Sequence, residues 1–446
     1  MAYAPSKIHA LSSALVVGLL LCLPAAGQTA TQQKAKSKIP PGFSALFNGK
    51  DLSGWRGRPH LDPSKEAAME KEQLAAQQKA WDADVAQHWR VENDEIINDG
   101  HGAFLTTTES FGDMELWLDY RTVAQADSGI YLRATPQVQI WDTTEAGGKW
   151  NIGADKGSGG LWNNQKHARH PLKLADKPFG EWNRMRIVML GEHVSVWLNG
   201  HQTVDHTPLE NFWDRSKPLA ARGPVQLQTH GGEIRFRNIY IKRFTDLEAN
   251  QRLAKHGAKE FQSIFNGKDF EGWSGAVDNY EVVDGTLRCK AGAGGNLFTT
   301  KTYADFVVRF EFKLPPGGNN GLAIRYPGTG NPAYDAMCEL QVLENTHPKY
   351  ANLKEYQFHG SIYGQHPAHR GYLREVGKWN FQEVRVQGSL IHVVLNGTTI
   401  LHQDVSQLGD SIDGQKHPGK TLTSGHFGFA GHNDPVQFRS IQMRNL

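Results

Sequence analysis

Phe43-Ser-Ala-Leu-Phe-Asn-Gly-Lys-Asp-Leu-Ser-Gly-Trp55 returns, 218 residues later in the numbering, as Phe261-Gln-Ser-Ile-Phe-Asn-Gly-Lys-Asp-Phe-Glu-Gly-Trp273. Further copies follow in the same order. Leu105-Thr-Thr matches Phe298-Thr-Thr, and Asp127-Ser-Gly-Ile-Tyr-Leu-Arg133 matches Asn319-Asn-Gly-Leu-Ala-Ile-Arg325. Trp182-Asn183 matches Trp379-Asn380, Trp197-Leu-Asn-Gly200 matches Val394-Leu-Asn-Gly397, and Phe236-Arg237 matches Phe438-Arg439. One order kept over the whole length means two copies of one domain rather than scattered turn coincidences. The sequence divides into a first repeat over 41–245, a charged linker with helical character over 246–260 and a second repeat over 261–446.

Within each copy the dominant period is two. Val194, Val196 and Leu198 alternate with His193, Ser195 and Trp197, and Ile391, Val393 and Leu395 with His392, Val394 and Asn396. Asn-Gly pairs at 48, 199, 266 and 396 supply turns, and short alternating strands with glycine-rich turns indicate an all-β antiparallel sandwich. The exception is residues 62–88, opened by Asp62-Pro63. This polar, Ala-rich stretch has N-cap and first-turn chemistry and reads as one helix inserted in the first copy alone.

The chain has 446 residues, with 48 Lys+Arg against 46 Asp+Glu and a formal net charge of +2. That balance excludes the broad basic footprint of non-specific nucleic-acid binding. Cysteines are few: Cys22, Cys289 and Cys338. No disulfide framework or zinc spacing follows from them, and Cys289 and Cys338 read as reduced core residues. Lys7, an apolar run from Ala10 to Leu23 and the small residues Pro24-Ala25-Ala26-Gly27 read as a secretory signal over 1–27, followed by a polar spacer over 28–40. The apolar run is too short to span a bilayer stably, and no later stretch approaches 18 apolar residues, so an exported protein without a membrane span is expected.

Strand alternation selects the chemistry-bearing positions. Along Met337 to Glu344, Leu340 and Val342 point one way and Glu339 and Gln341 the other. Read as a strand, Gln357 to Tyr363 sets Phe358 and Ile362 against His359, Ser361 and Tyr363, while Leu322 and Ile324 oppose Arg325. If the apolar faces form the core, Glu339, Gln341, Arg325, His359 and His392 gather on one surface as an acid–base set, with Asn320, Glu344 and Tyr363 as binding groups. The bland alternatives are a solvated polar face and a structural Arg325–Glu339 bridge. His230 and His432 occupy matching positions and read as a shared loop feature.

The opening Leu-Phe-Asn-Gly-Lys-Asp-Leu-x-Gly-Trp, the Asn/Ser-Gly-x-x-x-Arg strand, the Glu-x-Gln strand and the Trp-Asn, Leu-Asn-Gly and Phe-Arg motifs together resemble the 3-keto-disaccharide hydrolase family, once per repeat. The resemblance implies two tandem concanavalin-like jelly rolls. It also implies 3-keto-glucoside 1,2-lyase or hydratase chemistry on 3-oxo-glycosides in the bacterial periplasm. Such chemistry removes the C2 proton beside the C3 ketone, expels the C1 oxygen and adds water, and it requires no redox cofactor. The glycine clusters at Gly157-Ser-Gly-Gly160 and Gly292 to Gly295 lack nucleotide-loop context. A divalent cation held by Glu339, Glu344 and His359 stays an open alternative that no spacing makes strong.

The copies differ. Gln137 stands where Glu339 does, Ser158 where His359 does and Ser195 where His392 does, while Arg133, Gln139 and Asp142 match Arg325, Gln341 and Glu344. The first copy therefore lacks the evident base and acid. Trp141, Trp162 and Trp197, in phase with its polar positions, suit stacking on sugar faces. The expected reading is a catalytic second repeat and a sugar-binding first repeat acting on a small sugar or glycoside. A tandem glycan-binding protein without catalysis is the alternative. Ordinary glycoside hydrolysis is disfavoured, because Glu339 and Glu344 fall on opposite faces of a regular strand. The oligomeric state stays open.

Overall fold

The computed structural model describes residues 39–446. The signal sequence and most of the spacer, with Cys22, lie outside them. Among the described residues the strands form four antiparallel sheets, an eight-stranded and a five-stranded sheet in each repeat. The tandem all-β sandwich read from the sequence is therefore the fold.

The five-stranded sheets position the candidate site. In the first repeat they comprise β1 (Trp55–Arg58), β2 (Phe104–Thr107), β3 (Asp127–Leu132), β4 (Thr135–Trp141) and β5 (Gln226–Leu227), in spatial order β1-β2-β5-β3-β4. In the second they comprise β6 (Trp273–Gly275), β7 (Gly294–Tyr303), β8 (Asn319–Tyr326), β9 (Cys338–Leu343) and β10 (Gly425–His432), in the matching order β6-β7-β10-β8-β9. The register repeats as well: Gly129 lies opposite Gln139, and Gly321 opposite Gln341.

Each sandwich closes on its own apolar core. Leu322, Ile324, Leu340 and Val342 pack with Phe310, Phe429 and Phe438 in the second repeat. Ile130, Leu132, Val138 and Ile140 pack with Leu116 and Phe236 in the first. Two-residue periodicity puts these side chains inside and turns their neighbours to the outer face of the five-stranded sheet. Cys289 and Cys338 are buried free thiols, and burial pushes them up to about 11 and about 12.

The insertion is two helices rather than one, α1 (Pro63–Ala67) and α2 (Lys71–His88). Asp62 caps α1 by accepting from the Ser64 amide at 2.9 Å. The linker forms α3 (Asp246–Lys255), opened by a capping box between Thr245 and Glu248. Ala249 and Leu253 of α3 pack between Val188 and Leu190 of one repeat and Phe381 of the other. The repeats also touch directly, since the Glu192 amide donates to the Gly397 carbonyl at 3.0 Å and Thr399 Oγ1 donates to the Glu192 carboxylate at 2.8 Å.

Candidate functional site

Glu339 and Gln341 project together from the outer face of β9, and both are buried, at 4% and 5% exposure. Gly321 on β8 leaves room for the carboxylate, because a Cβ there would sit 1.9 Å from Glu339 Oε1. Gln341 Nε2 donates to Asn319 Oδ1 at 2.7 Å, tying the floor together. Glu339 Oε1 is buried without a hydrogen-bond partner among the described residues, and His432 Nε2 at the end of β10 stands 3.7 Å away. The Glu339 carboxylate raises the His432 imidazole above its ordinary value, so charge is favoured on a ring whose side chain is 48% exposed. A carboxylate and an imidazolium at one opening can exchange protons with a bound molecule.

Three tyrosines belong to segments that neighbour Glu339. The Tyr363 amide donates to the Glu339 carbonyl at 3.0 Å, and the Tyr356 and Tyr363 rings lie 6.0 Å apart. Burial, then the negative fields of Tyr363, Asp413 and Glu339, hold the Tyr334 hydroxyl above its ordinary value. Tyr334 leaves the short helix α4 (Pro332–Asp335), capped by Asn331. Such rings offer flat, amphipathic area to a sugar.

The other second-repeat candidates do not reach this face. His359 is in the core, stacked on Phe312 with centroids 5.1 Å apart. Its Nδ1 accepts from the Leu343 amide at 3.4 Å and its Nε2 lies 2.9 Å from Gln382 Oε1. Burial holds that imidazole down to about 4. The segment expected to be a strand is a turn instead. Gly360 takes φ +82, so the alternation breaks and His359 points inward with Ile362.

Arg325 departs for a similar reason. It takes φ 51 in a bulge of β8, where the register shifts between Ala323 and Tyr326. Its guanidinium turns away to the carbonyls of Ala304, Gly388 and Leu422 at 2.8–3.0 Å and to Asp305 at 2.8 Å. Glu344 accepts from the Gly317 and Thr346 amides at 3.2 and 2.7 Å, as a loop clamp. Asn320 points into the core and holds the Gly321 amide at 2.9 Å. Glu339, Glu344 and His359 do not converge, and among the described residues no group of three or more His, Cys, Asp or Glu side chains is placed to hold a metal ion.

His392 lies on the other sheet and lines a cavity of about 930 Å³ between the repeats, with His193, His206, His256 and His402. It approaches Thr399 Oγ1 at 3.1 Å, and burial holds it down to about 4.

In the first repeat, Arg133 repeats the left-handed bulge at φ 53 and donates to the Ala220 carbonyl at 2.9 Å. Trp141 is buried, donates to the Gly157 carbonyl at 2.9 Å and meets Trp162 edge-on at 5.0 Å. Trp162 is covered by the Arg169 guanidinium at 3.6 Å. Trp197 belongs to the eight-stranded sheet, under Arg186 at 4.3 Å and against the linker helix. The three tryptophans do not share one face. Gln139, by contrast, lies on the outer face of β4 and donates to Asp127 Oδ1 at 2.7 Å. His230 Nδ1 lies 2.7 Å from Asp127 Oδ2, and Lys149 pairs with the same carboxylate. The residues that reasoning from the sequence passed over are thus His432 and the Asp127–His230 pair. Their signal was the recurrence of a histidine at one position in both copies.

The model for the 3-keto-alpha-glucoside-1,2-lyase-like domain matches residues 42–242 and again 260–444. The chain belongs to that family. A 3-keto-disaccharide hydrolase of Bacteroides thetaiotaomicron is 26% identical over 249 residues, covering 46% of this chain and 86% of the relative. A solved structure from Parabacteroides distasonis, assigned as a glycosyl hydrolase, is 26% identical with a TM-score of 0.38, covering 42% of this chain and 99% of that one. The carbohydrate-binding module CBM66 of Bacillus subtilis is 12% identical with a TM-score of 0.26, covering 39% and 96%. Family and relative place the protein among carbohydrate-active, 3-keto-disaccharide hydrolase-like proteins. No helix among the described residues is long and apolar enough to cross a membrane.

Proposed function

We propose that this protein cleaves 3-keto-glycosides by elimination and hydration, with the second repeat catalytic and the first repeat holding sugar. The observation that carries this reading is the Glu339–His432 pair, whose carboxylate oxygen is buried without a hydrogen bond among the described residues and lies within electrostatic reach of Tyr334. A ketone at C3 acidifies the C2 proton. The Glu339 carboxylate takes that proton, the C1–O bond breaks as C1=C2 forms, and the His432 imidazolium gives its proton to the departing oxygen. Both groups are then set for the return step. Neutral His432 takes a proton from water, the water oxygen bonds C1, and protonated Glu339 restores hydrogen at C2. Atoms and charges balance over the cycle, and the net change is hydrolysis. Gln341, held by Asn319, supports the floor on which the sugar rests.

The N-terminal signal pattern supports export to the periplasm or beyond. Purified protein assayed on a 3-keto-glucoside should release its aglycone, and Glu339→Gln should lower kcat/KM while sugar binding persists. Wild-type protein that binds sugars without turnover would leave the tandem glycan-binding alternative. Glu339→Gln protein at the wild-type rate would remove Glu339 from the chemistry.

A further inference from the structure

The two repeats exchange a carboxylate and a carboxamide. In the second, β8 begins with Asn319 and β9 carries Glu339; in the first, β3 begins with Asp127 and β4 carries Gln137. The glutamine between these positions keeps its contact in both: Gln341 Nε2 donates to Asn319 Oδ1 at 2.7 Å, and Gln139 Nε2 to Asp127 Oδ1 at 2.7 Å. Each repeat therefore holds one acid, and each acid faces the histidine that ends the neighbouring segment, His432 or His230.

The first-repeat pair is the more tightly built. Asp127 is 7% exposed, and its Oδ2 lies 2.7 Å from His230 Nδ1. The His230 side chain is 61% exposed, and its Nε2 makes no hydrogen bond among the described residues. One ring nitrogen is thus fixed by a buried carboxylate while the other faces the open side, the arrangement that orients an imidazole as a proton acceptor. The hydrogen bond to Asp127 raises the imidazole above its ordinary value, while His230 and Lys149, working against burial, draw Asp127 down. Tyr131 leaves β3 on the same face as Asp127 and Gly129, and its hydroxyl meets His60 Nδ1 at 2.9 Å. His60 precedes the helical insertion and packs on Trp213 with centroids 4.7 Å apart. His60 and Trp213 thus stand beside Tyr131.

We infer that the first repeat holds a second acid–base site, in which His230, oriented by Asp127, removes the proton beside the ketone of a keto-sugar. This inference rests on the assignment of keto-sugar chemistry to the fold, and it extends the first repeat beyond sugar holding. The C2–H bond breaks and an N–H bond forms at Nε2. The electron pair passes to the C3 oxygen as an enolate, with the Lys149 ammonium as the nearby positive charge, and the proton returns to C2 from the imidazolium. Asp127 is a positioning residue.

The test is exchange of the C2 hydrogen of methyl 3-keto-α-glucoside in D2O, followed by NMR on the full chain as wild type, Glu339→Gln, His230→Gln and the double variant. Glu339→Gln should exchange at least several-fold above the protein-free rate, and the double variant should fall to that rate. Asp127→Asn should move the acid limb of the first-repeat exchange to lower pH, because the imidazole loses the carboxylate that favours its charged form. Glu339→Gln at the protein-free rate, with wild type active, overturns this site and leaves the second-repeat assignment standing. Glu339→Gln at the wild-type rate, with His230→Gln inactive, supports this site and overturns the other. Wild type at the protein-free rate overturns both.

Discussion

Gly321 and Glu339 occupy one space: a Cβ on the glycine would lie 1.9 Å from the carboxylate oxygen and 2.6 Å from Cδ. Two adjacent strands normally have side chains at both positions. Here one is deleted so that a carboxylate can lie flat on the sheet.

Gly321→Ala should therefore displace Glu339 without unfolding the domain. The displacement of a reacting group by about 1 Å is enough to cost on the order of 10²-fold in rate. We expect kcat to fall toward that of Glu339→Gln, with sugar affinity changed far less. An alanine variant with wild-type kcat would show that the carboxylate position is immaterial.

His432 gives a pH signature with a defined sign. Its folded-state value is raised by the Glu339 carboxylate. The protonated pair therefore contributes stability fully below the unfolded histidine value of about 6.5, and that contribution is lost as pH rises through the folded value. In Glu339→Gln the His432 titration should move to lower pH, read by NMR on the ring protons. An unmoved titration would mean that the two groups do not interact in solution.

Arg325 should behave as a structural residue. Its guanidinium is 2% exposed and serves the carbonyls of Ala304, Gly388 and Leu422 together with Asp305. Arg325→Met leaves those carbonyls without their donor, and a buried polar group so stranded costs about 1–3 kcal/mol. Denaturant unfolding should show a loss of at least about 2 kcal/mol on that basis, with KM of the folded fraction unchanged. A raised KM at unchanged stability would restore the ligand-clamp role.

The outer face of β9 was legible because Leu340 and Val342 mark the core on either side of Gln341, and period-two geometry does the rest. Arg325 and His359 were not, for one physical reason. Each occupies or adjoins a left-handed backbone position, Arg325 itself at φ 51 and Gly360, next after His359, at φ +82, which breaks the alternation that side-chain reasoning assumes. A positive φ on an arginine has no local signature, since only glycine and asparagine adopt it cheaply. The recurrence of Arg133 and Arg325 was visible, but it recorded a shared bulge rather than a shared ligand. His432 was legible only as a recurrence. Its partner is Glu339 in one copy and Asp127 takes the corresponding role in the other, so no fixed spacing announces the pair.

The histidines between the repeats should make the protein acid-labile. His193 stacks on His206 at 4.3 Å and His206 on His256 at 4.2 Å, while His193 Nδ1 lies 3.1 Å from the Gly397 carbonyl of the other repeat. Burial, then the neighbouring rings, holds His206 down to about 3, and burial lowers His193 as well. Glu192, Glu210, Glu383, Lys166 and His392 also face this cavity. A histidine depressed in the fold binds its proton more readily when unfolded. Stability is then complete above about 6.5 and falls with pH between that value and the folded one. Thermal unfolding should show Tm dropping from pH 7 to pH 5, and His206→Phe, which keeps a ring in the stack, should flatten that slope. An equally steep slope in the variant would move the acid sensitivity elsewhere.

The contact at Gly191 sets how closely the repeats can dock. Gly191 takes φ +57, and a Cβ there would lie 2.1 Å from the Gly397 carbonyl carbon. Both sides of that contact are backbone, so no side chain can yield, and the left-handed conformation adds strain to any other residue. The adjoining Glu192–Thr399 hydrogen bond at 2.8 Å and the His193–Gly397 contact depend on the same approach. Gly191→Ala should push the hairpin tips apart, loosen α3 from Phe381 and expose residues 245–260 to protease. Limited proteolysis should cut the variant in that linker many-fold faster than wild type. The Asp127–His230 and Glu339–His432 faces lie on the five-stranded sheets rather than on these hairpins, so proton exchange at both should persist. Equal cleavage rates would show that the two hairpins do not hold the repeats together.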